Sequence, residues 1–195
     1  APYFRFVTTN TCDFTVGGMF MWRDYFHMAW QVEDGVLYST LTGEDGNLYY
    51  NLPLGEDIPA GLRQCLARHP ERPVRFCTIP EAAIAAVKAF PDGADCVILG
   101  GMERNIPYDT LAEFLNTGYV KNVILLPDSG YRIGDMITSP MVNKVRVKDL
   151  PEAVKTASGL AKRRVILCPA AASYGFYKNF EERGRHFKQL VSELV

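Results

Sequence analysis

Three short segments hold the residues best suited to binding a small anion. In "VILGGMER" two glycines, Gly100 and Gly101, precede Arg104. A glycine pair lets a ligand approach the backbone closely, and an arginine forks onto a carboxylate or phosphate. In "VILCPAAASYG" three small residues, Ala170 to Ala172, lead to the hydroxyl of Ser173, with the cation Lys178 a few residues on. The third segment, "VILLPDSG", ends with Asp128 before Ser129 and Gly130. Together they suit a small anionic ligand such as an amino acid. Each residue also has a plainer reading: the glycine pair as a turn, Ser173 as a helix cap, and Lys178, Arg183, Arg185 and Lys188 as a solvated helix face.

Other chemistries find less support. His27, His69 and His186 are isolated in the sequence, so no Ser-His-Asp arrangement is expected. Asp95 and Glu103 do not form a convincing acid–base pair, and Asp128 is a weak metal-ligand candidate. No Gly-rich loop ending in Lys-Ser/Thr occurs, so no site for a nucleoside triphosphate is recognisable. The five cysteines (Cys12, Cys65, Cys77, Cys96 and Cys168) contain no Cys-x-x-Cys pair. Reduced, buried thiols in a cytoplasmic setting are the expectation. The net charge is −1 over 195 residues, which offers no electrostatic case for nucleic acid or an acidic membrane. No apolar run reaches the roughly 18 residues of a membrane span. No signal-like leader is evident, and an N-terminal Ala suits a processed or excised chain.

The elements that must position these residues change character near residue 77. Residues 1–77 read as mostly strand. "FTVGGMFMWRDYFHMAW" has a strand-like aromatic content, with Met and Arg leaving helix open. Asp34-Gly35 and the Gly43–Asn47 cluster divide the next stretch into three apolar runs, which predicts two hairpins. "PAGLRQCLARHP" has helical spacing, and "PVRF" reads as a short strand.

From Thr78 onward strands and helices alternate. Capping boxes are expected at Thr78–Glu81, with Pro80 in the first turn, and at Thr110–Glu113. The first helix is expected to run through Phe90. "DCVILGG", "VKNVILLPDSG", "KVRV" and "RRVILCP" read as four strands, the first two as buried parallel ones. Asp149 and Asn179 are placed to cap two later helices. The last carries an apolar stripe of Phe180, Phe187, Leu190, Val191 and Leu194. The expected fold is α/β: a Rossmann-like parallel sheet with flanking helices, preceded by a small strand-rich α+β segment. Ligands of such sheets sit beyond the carboxyl ends of the strands, at "GGMER", "PDSG" and "CPAAASYG".

Residues 78–195 resemble the C-terminal domain of the Mur ligases. The resemblance runs through "TIPEAAIAAVKAF", "VILGGMERNIPYDTLAEFL", "VILLPDSGYRIGDMI" and "VILCPAAASYGFYKNFEERGRHFKQLV". Its most specific part is Pro-Ala-(small)-Ala-Ser followed by Phe/Tyr-Lys-Asn-Phe-Glu-x-Arg-Gly. Within the family the chain is most similar to ligases that add D-glutamate to UDP-N-acetylmuramoyl-L-alanine in peptidoglycan precursor synthesis. The resemblance implies D-glutamate contacts at Thr78, Arg104 (Lys in many relatives), Ser173 and Phe180. It implies that a separate central domain binds ATP and magnesium and that the UDP-linked muramoyl precursor is the other substrate. A chain without that domain is expected not to complete the reaction alone. Two departures stand out: Arg75-Phe76-Cys77 occupies the place of an Asn-Asp-Ser whose Asp helps hold nucleotide, and Cys168 stands where relatives often have Ser.

Residues 1–77 resemble the start of the phosphatidylglycerol lysyltransferase C-terminal-like proteins, which have GNAT-type acyltransferase folds. The likeness rests on "FMWRDYF" and "YYNLPLG". It implies a partial acyltransferase segment and hence a chimera of two parentages. For Trp22-Arg23-Asp24 a core aromatic beside a local ion pair is the preferred reading. The alternatives to a ligase part are an acyl- or aminoacyltransferase fragment and a non-enzymatic amino-acid-binding module.

Overall fold

The structure, a computed structural model, describes residues 2–6, 16–43, 46–70 and 79–194. The chain divides into two compact units, Ala1–Phe76 and Cys77–Val195.

The first unit holds a 3-10 helix (Pro2–Phe6), helix α1 (Val16–Trp22), strands β1 (Ala29–Glu33), β2 (Val36–Thr42) and β3 (Leu48–Tyr50), and helix α2 (Ile58–Arg68). The strands form an antiparallel sheet in the order β1-β2-β3, so both expected hairpins are present. Asp34 and Gly35 both have positive φ, 48° and 75°, the backbone that a two-residue hairpin turn with right-handed strand twist requires. Asp57 caps α2 by accepting from the Ala60 N–H at 2.9 Å, and the helix buries Leu62 and Cys65. Cys65 meets Tyr38 and Tyr50 from the sheet. Helix α1 resolves the open reading of "VGGMFMW" against strand. Arg23 does pair with Asp24, at 3.3 Å, but Trp22 is 42% exposed and contacts the edges of Tyr25 and Phe26, so it is not a core residue.

The second unit contains α3 (Pro80–Lys88), β4 (Cys96–Gly101), α4 (Asp109–Asn116), β5 (Asn122–Asp128), α5 (Ser129–Met136), β6 (Asn143–Arg146), α6 (Leu150–Leu160), β7 (Val165–Leu167) and α7 (Phe180–Ser192). The four strands are parallel throughout, in the order β6-β5-β4-β7. This is the expected α/β sheet. Alternation of side chains along β4 and β5 sends Cys96, Ile98, Ile124 and Leu126 to one face. There they join Leu150, Ala153 and Val154 of α6, with Phe187 and Leu190 of α7 packed against them. Helix α4 neighbours both α3 and α5, and α5 packs on β4 and β5. Every residue of β4 is buried, which accounts for its unbroken apolar sequence.

Two caps are as expected. Asp149 accepts from the Glu152 N–H, and Asn179 from the Glu182 N–H, each at 2.9 Å. In each case the glutamate reaches back to the N–H preceding the cap, at Lys148 and Lys178. The other boundaries differ. Helix α4 begins one residue before Thr110 and has no side-chain cap, so the expected box does not form. Pro80 is the first residue of α3 behind Ile79, while Thr78 and "PVRF" lie outside the described residues. Lys88 ends α3, and Phe90 sits beyond it under the Arg164 guanidinium, 4.1 Å from the ring centroid. Helix α5 was not expected. It follows β5 without a loop because Asp128, at φ 62°, turns the chain in one residue.

Candidate functional site

The order β6-β5-β4-β7 makes β4 the first strand laid down, with β5 on one side and β7, the last, on the other. The chain reverses its direction of winding there, and the crevice at such a switch point is where open parallel sheets bind ligands. A cavity of about 320 Å³ lies at this position, lined by Gly100, Gly101 and Ser173 at the strand ends. The N-terminus of α6 (Lys148 to Pro151) and Tyr177, Arg183 and His186 complete it, with Leu126, Pro127 and Phe176 as apolar wall.

The strand ends are tied together by backbone. The Gly100 N–H donates to Pro169 O at 2.8 Å, and the Met102 N–H donates to Ala172 O at 3.0 Å. Met102 and Ala172 form an isolated antiparallel bridge. Ala170 adopts φ 53°, a left-handed backbone uncommon for alanine, at a position that is 1% exposed. Ala171 and Ala172 are as deeply buried, so small side chains suit the segment.

The glycine pair also has a cause within the protein. A Cβ on Gly100 would lie 2.7 Å from Leu126 O and 2.9 Å from Gly130 Cα. On Gly101 it would overlap Ala172 O. Both positions have positive φ, 115° and 154°. The glycines are required by neighbouring protein backbone. Asp128 joins no metal centre: among the described residues no three His, Cys, Asp or Glu side chains gather as a cation site. These residues do not fit ATP or magnesium by themselves.

Ser173 is 4% exposed and lines the cavity. It caps no helix. Its carbonyl accepts from the N–H groups of Phe176 and Tyr177 in a turn, and Asn179 caps the helix that follows. Arg104 lies on the exposed segment after β4, outside the cavity lining. Phe180 is the half-buried first residue of α7 and is also outside the lining. Thr78 falls outside the described residues. The geometry thus brings Ser173 to the cavity and puts Arg104 on the loop that leaves the same strand end.

Arg183 corrects the reading of α7 as a solvated basic face. It is 5% exposed, and its guanidinium donates to Ala171 O at 3.3 Å, bracing the turn before Ser173. Lys178, Arg185 and Lys188 are exposed as expected. The signal was available: Arg183 falls in register with Phe180, Phe187 and Leu190 on the apolar stripe. The α6 contribution was missed because the end of "KVRV" was not counted among the ligand-facing strand ends. Tyr177 and His186 were not paired in the sequence. They meet across nine residues, with Tyr177 Oη 2.8 Å from His186 Nδ1, and burial raises the Tyr177 pKa.

Beside the cavity, Glu103 organises the Arg104 loop. Its Oε1 accepts from the N–H groups of Arg104 (2.9 Å) and Asn105 (2.6 Å). Arg132 of α5 forks onto both carboxylate oxygens, Nε to Oε2 at 2.8 Å and a terminal nitrogen to Oε1 at 2.9 Å. Partial burial alone would raise the Glu103 pKa, but Arg132 and the two N–H groups outweigh it and hold the carboxyl below its ordinary value.

No family model matches the chain. Over 120 residues, or 60% of its length, the chain is 36% identical to the UDP-N-acetylmuramoylalanine–D-glutamate ligase of Clostridioides difficile (strain 630), covering 26% of that protein. It is 39% identical over 123 residues to the UDP-N-acetylmuramoyl-L-alanine–L-glutamate ligase of Micromonospora sp. (strain ATCC 39149), covering 62% of this chain and 27% of that one. The chain thus spans about a quarter of the length of these curated relatives. Among solved structures it is similar to MurF ligase from Thermotoga maritima in complex with ADP, with a TM-score of 0.42 and 15% identity over 86% of this chain and 46% of that one. Over about 60% of its length, the chain is a homologue of part of the Mur ligases that join glutamate to UDP-N-acetylmuramoylalanine.

Proposed function

We propose that residues 78–195 are the amino-acid-receiving, C-terminal part of an ATP-dependent Mur-type ligase. In the reaction so assigned, a carboxyl of the UDP-linked muramoyl-alanine precursor is activated as an acyl phosphate. The amine of glutamate then attacks the acyl carbon and expels phosphate. ATP and magnesium supply the activation on a domain other than the one described here. This chain's residues bind and orient the amino acid. Ser173 donates its hydroxyl to a glutamate carboxylate, Arg104 supplies a cation for a carboxylate, and Thr78 and Phe180 complete the contacts that the resemblance implies. A cytoplasmic setting fits the reduced thiols of Cys65, Cys96 and Cys168. The reading of residues 1–77 as a separate, partial acyltransferase-like segment stays part of the proposal.

The observation that carries the reading is Ser173. It is buried in a motif that resembles the ligases', stands at the sheet's switch point, and lines a cavity, with no hydrogen-bond partner for its hydroxyl among the described residues. The relatives include ligases named for D-glutamate and for L-glutamate at comparable identity, so the enantiomer is part of the test. Isothermal titration of the chain with each enantiomer is expected to show binding of one, weakened about tenfold in Ser173→Ala by loss of a hydrogen bond to a charged group. No consumption of ATP is expected from the chain alone. Equal affinity in Ser173→Ala, or no binding of either enantiomer, overturns the assignment.

A further inference from the structure

We propose that the Glu103–Arg132 ion pair insulates Arg104, keeping its guanidinium available for an anionic ligand. The inference rests on the reading of Arg104 as a carboxylate-binding residue. Arg104 has a carboxylate as its immediate neighbour, and adjacent residues of this chain can pair: Arg23 and Asp24 do so at 3.3 Å. Among the described residues Arg104 makes no such pair. Glu103 is instead fully engaged, by two N–H groups on one oxygen and by the Arg132 fork across both.

Arg132 is itself fixed from three sides. Besides Glu103, it donates to Ile106 O at 2.7 Å and lies over the Tyr108 ring, 4.6 Å from its centroid. It thereby holds both ends of the segment from Glu103 to Tyr108. A bidentate arginine–carboxylate pair braced in this way is stronger than a lone surface ion pair. Counting charges, Glu103 with Arg132 is neutral, so the loop presents Arg104 as a net cation. Without the Arg132 charge, Glu103 would neutralise Arg104 and repel an incoming carboxylate. Glu103 and Arg132 are therefore positioning residues for Arg104.

Arginine Nε–H resonances of the whole chain test the clamp without ligand. In Arg132→Gln the Arg104 Nε–H signal is expected to shift and exchange more slowly with solvent, as Glu103 turns to it. Glutamate titration then separates insulation from mere support of the loop. Arg132→Gln is expected to weaken binding about five- to tenfold. Glu103→Gln/Arg132→Gln is expected to recover to within about threefold of the native chain, because the competing carboxylate is gone. A purely structural role predicts that the double variant binds as poorly as Arg132→Gln, and that result overturns the proposal. An Arg104 signal unmoved by Arg132→Gln also overturns it, whatever glutamate does. A native chain that binds neither enantiomer while the signal moves as expected sinks the glutamate assignment and supports the clamp.

Discussion

At Gly101 the backbone has φ 154° and Ala172 O occupies the space a side chain would need. Gly101→Ala cannot be relieved by rotating a flexible neighbour, because the obstacle is a carbonyl that accepts the Met102 N–H. It is expected to cost about 2–4 kcal/mol, read as a fall in the denaturation midpoint. An unchanged midpoint would show that the 170–172 turn yields. The cysteines behave in the opposite sense, quietly. Burial pushes the thiols of Cys65 and Cys96 up to about 11, so almost no thiolate is present near neutral pH. Iodoacetamide followed by peptide mapping is expected to leave both unmodified in the native chain and to label both after denaturation. Rapid native labelling of either would contradict the packing.

Among the elements, the lead-in to β7 is held by one distant side chain. Asp95, just before β4, accepts N–H bonds from Lys162, Arg163 and Arg164 on a single oxygen, at 3.0, 2.6 and 3.2 Å. The Arg163 and Arg164 N–H bonds lower its pKa most, and partial desolvation opposes them. A carboxyl with a lowered folded pKa stabilises fully above the ordinary carboxylate range, and that stabilisation is lost as pH falls through the folded value. Asp95→Asn is therefore expected to be less stable than the native chain at pH 7 and to approach it in strong acid. Denaturation midpoints that stay a constant distance apart from pH 7 to pH 2 would refute this. The same residue marks what sequence reading reaches. Periodicity and caps located β4 to β7, α6 and α7, because each carries its signal within about ten residues. Asp95's partners lie 67 to 69 positions away, and Glu103's arginine 29 away, so neither network has a local signature. Helix α5 was hidden for a related reason: Asp-Ser-Gly reads as a turn, and only the β4–α5 approach at Gly100 and Gly130 makes it the start of a helix.

For the molecule as a whole, every residue assigned to ligand contact falls in the second unit or at its first positions. Among the described residues the cavity is lined by β4, β5, the start of α6 with the two residues before it, α7 and the turn after β7. The first unit has its own core, around Tyr38, Tyr50 and Cys65. Glutamate binding should therefore leave a footprint confined by sequence. Hydrogen–deuterium exchange with saturating ligand is expected to slow amides in residues 100–106 and 168–180 while residues 29–68 exchange as before. The effect should be largest after β7, where the Phe176 and Tyr177 N–H groups close a turn on Ser173 and a bound carboxylate would hold that turn shut. Protection spread through 29–68 would mean that the first unit takes part in recognition, and the assignment of the ligand to the switch point of the parallel sheet would fail.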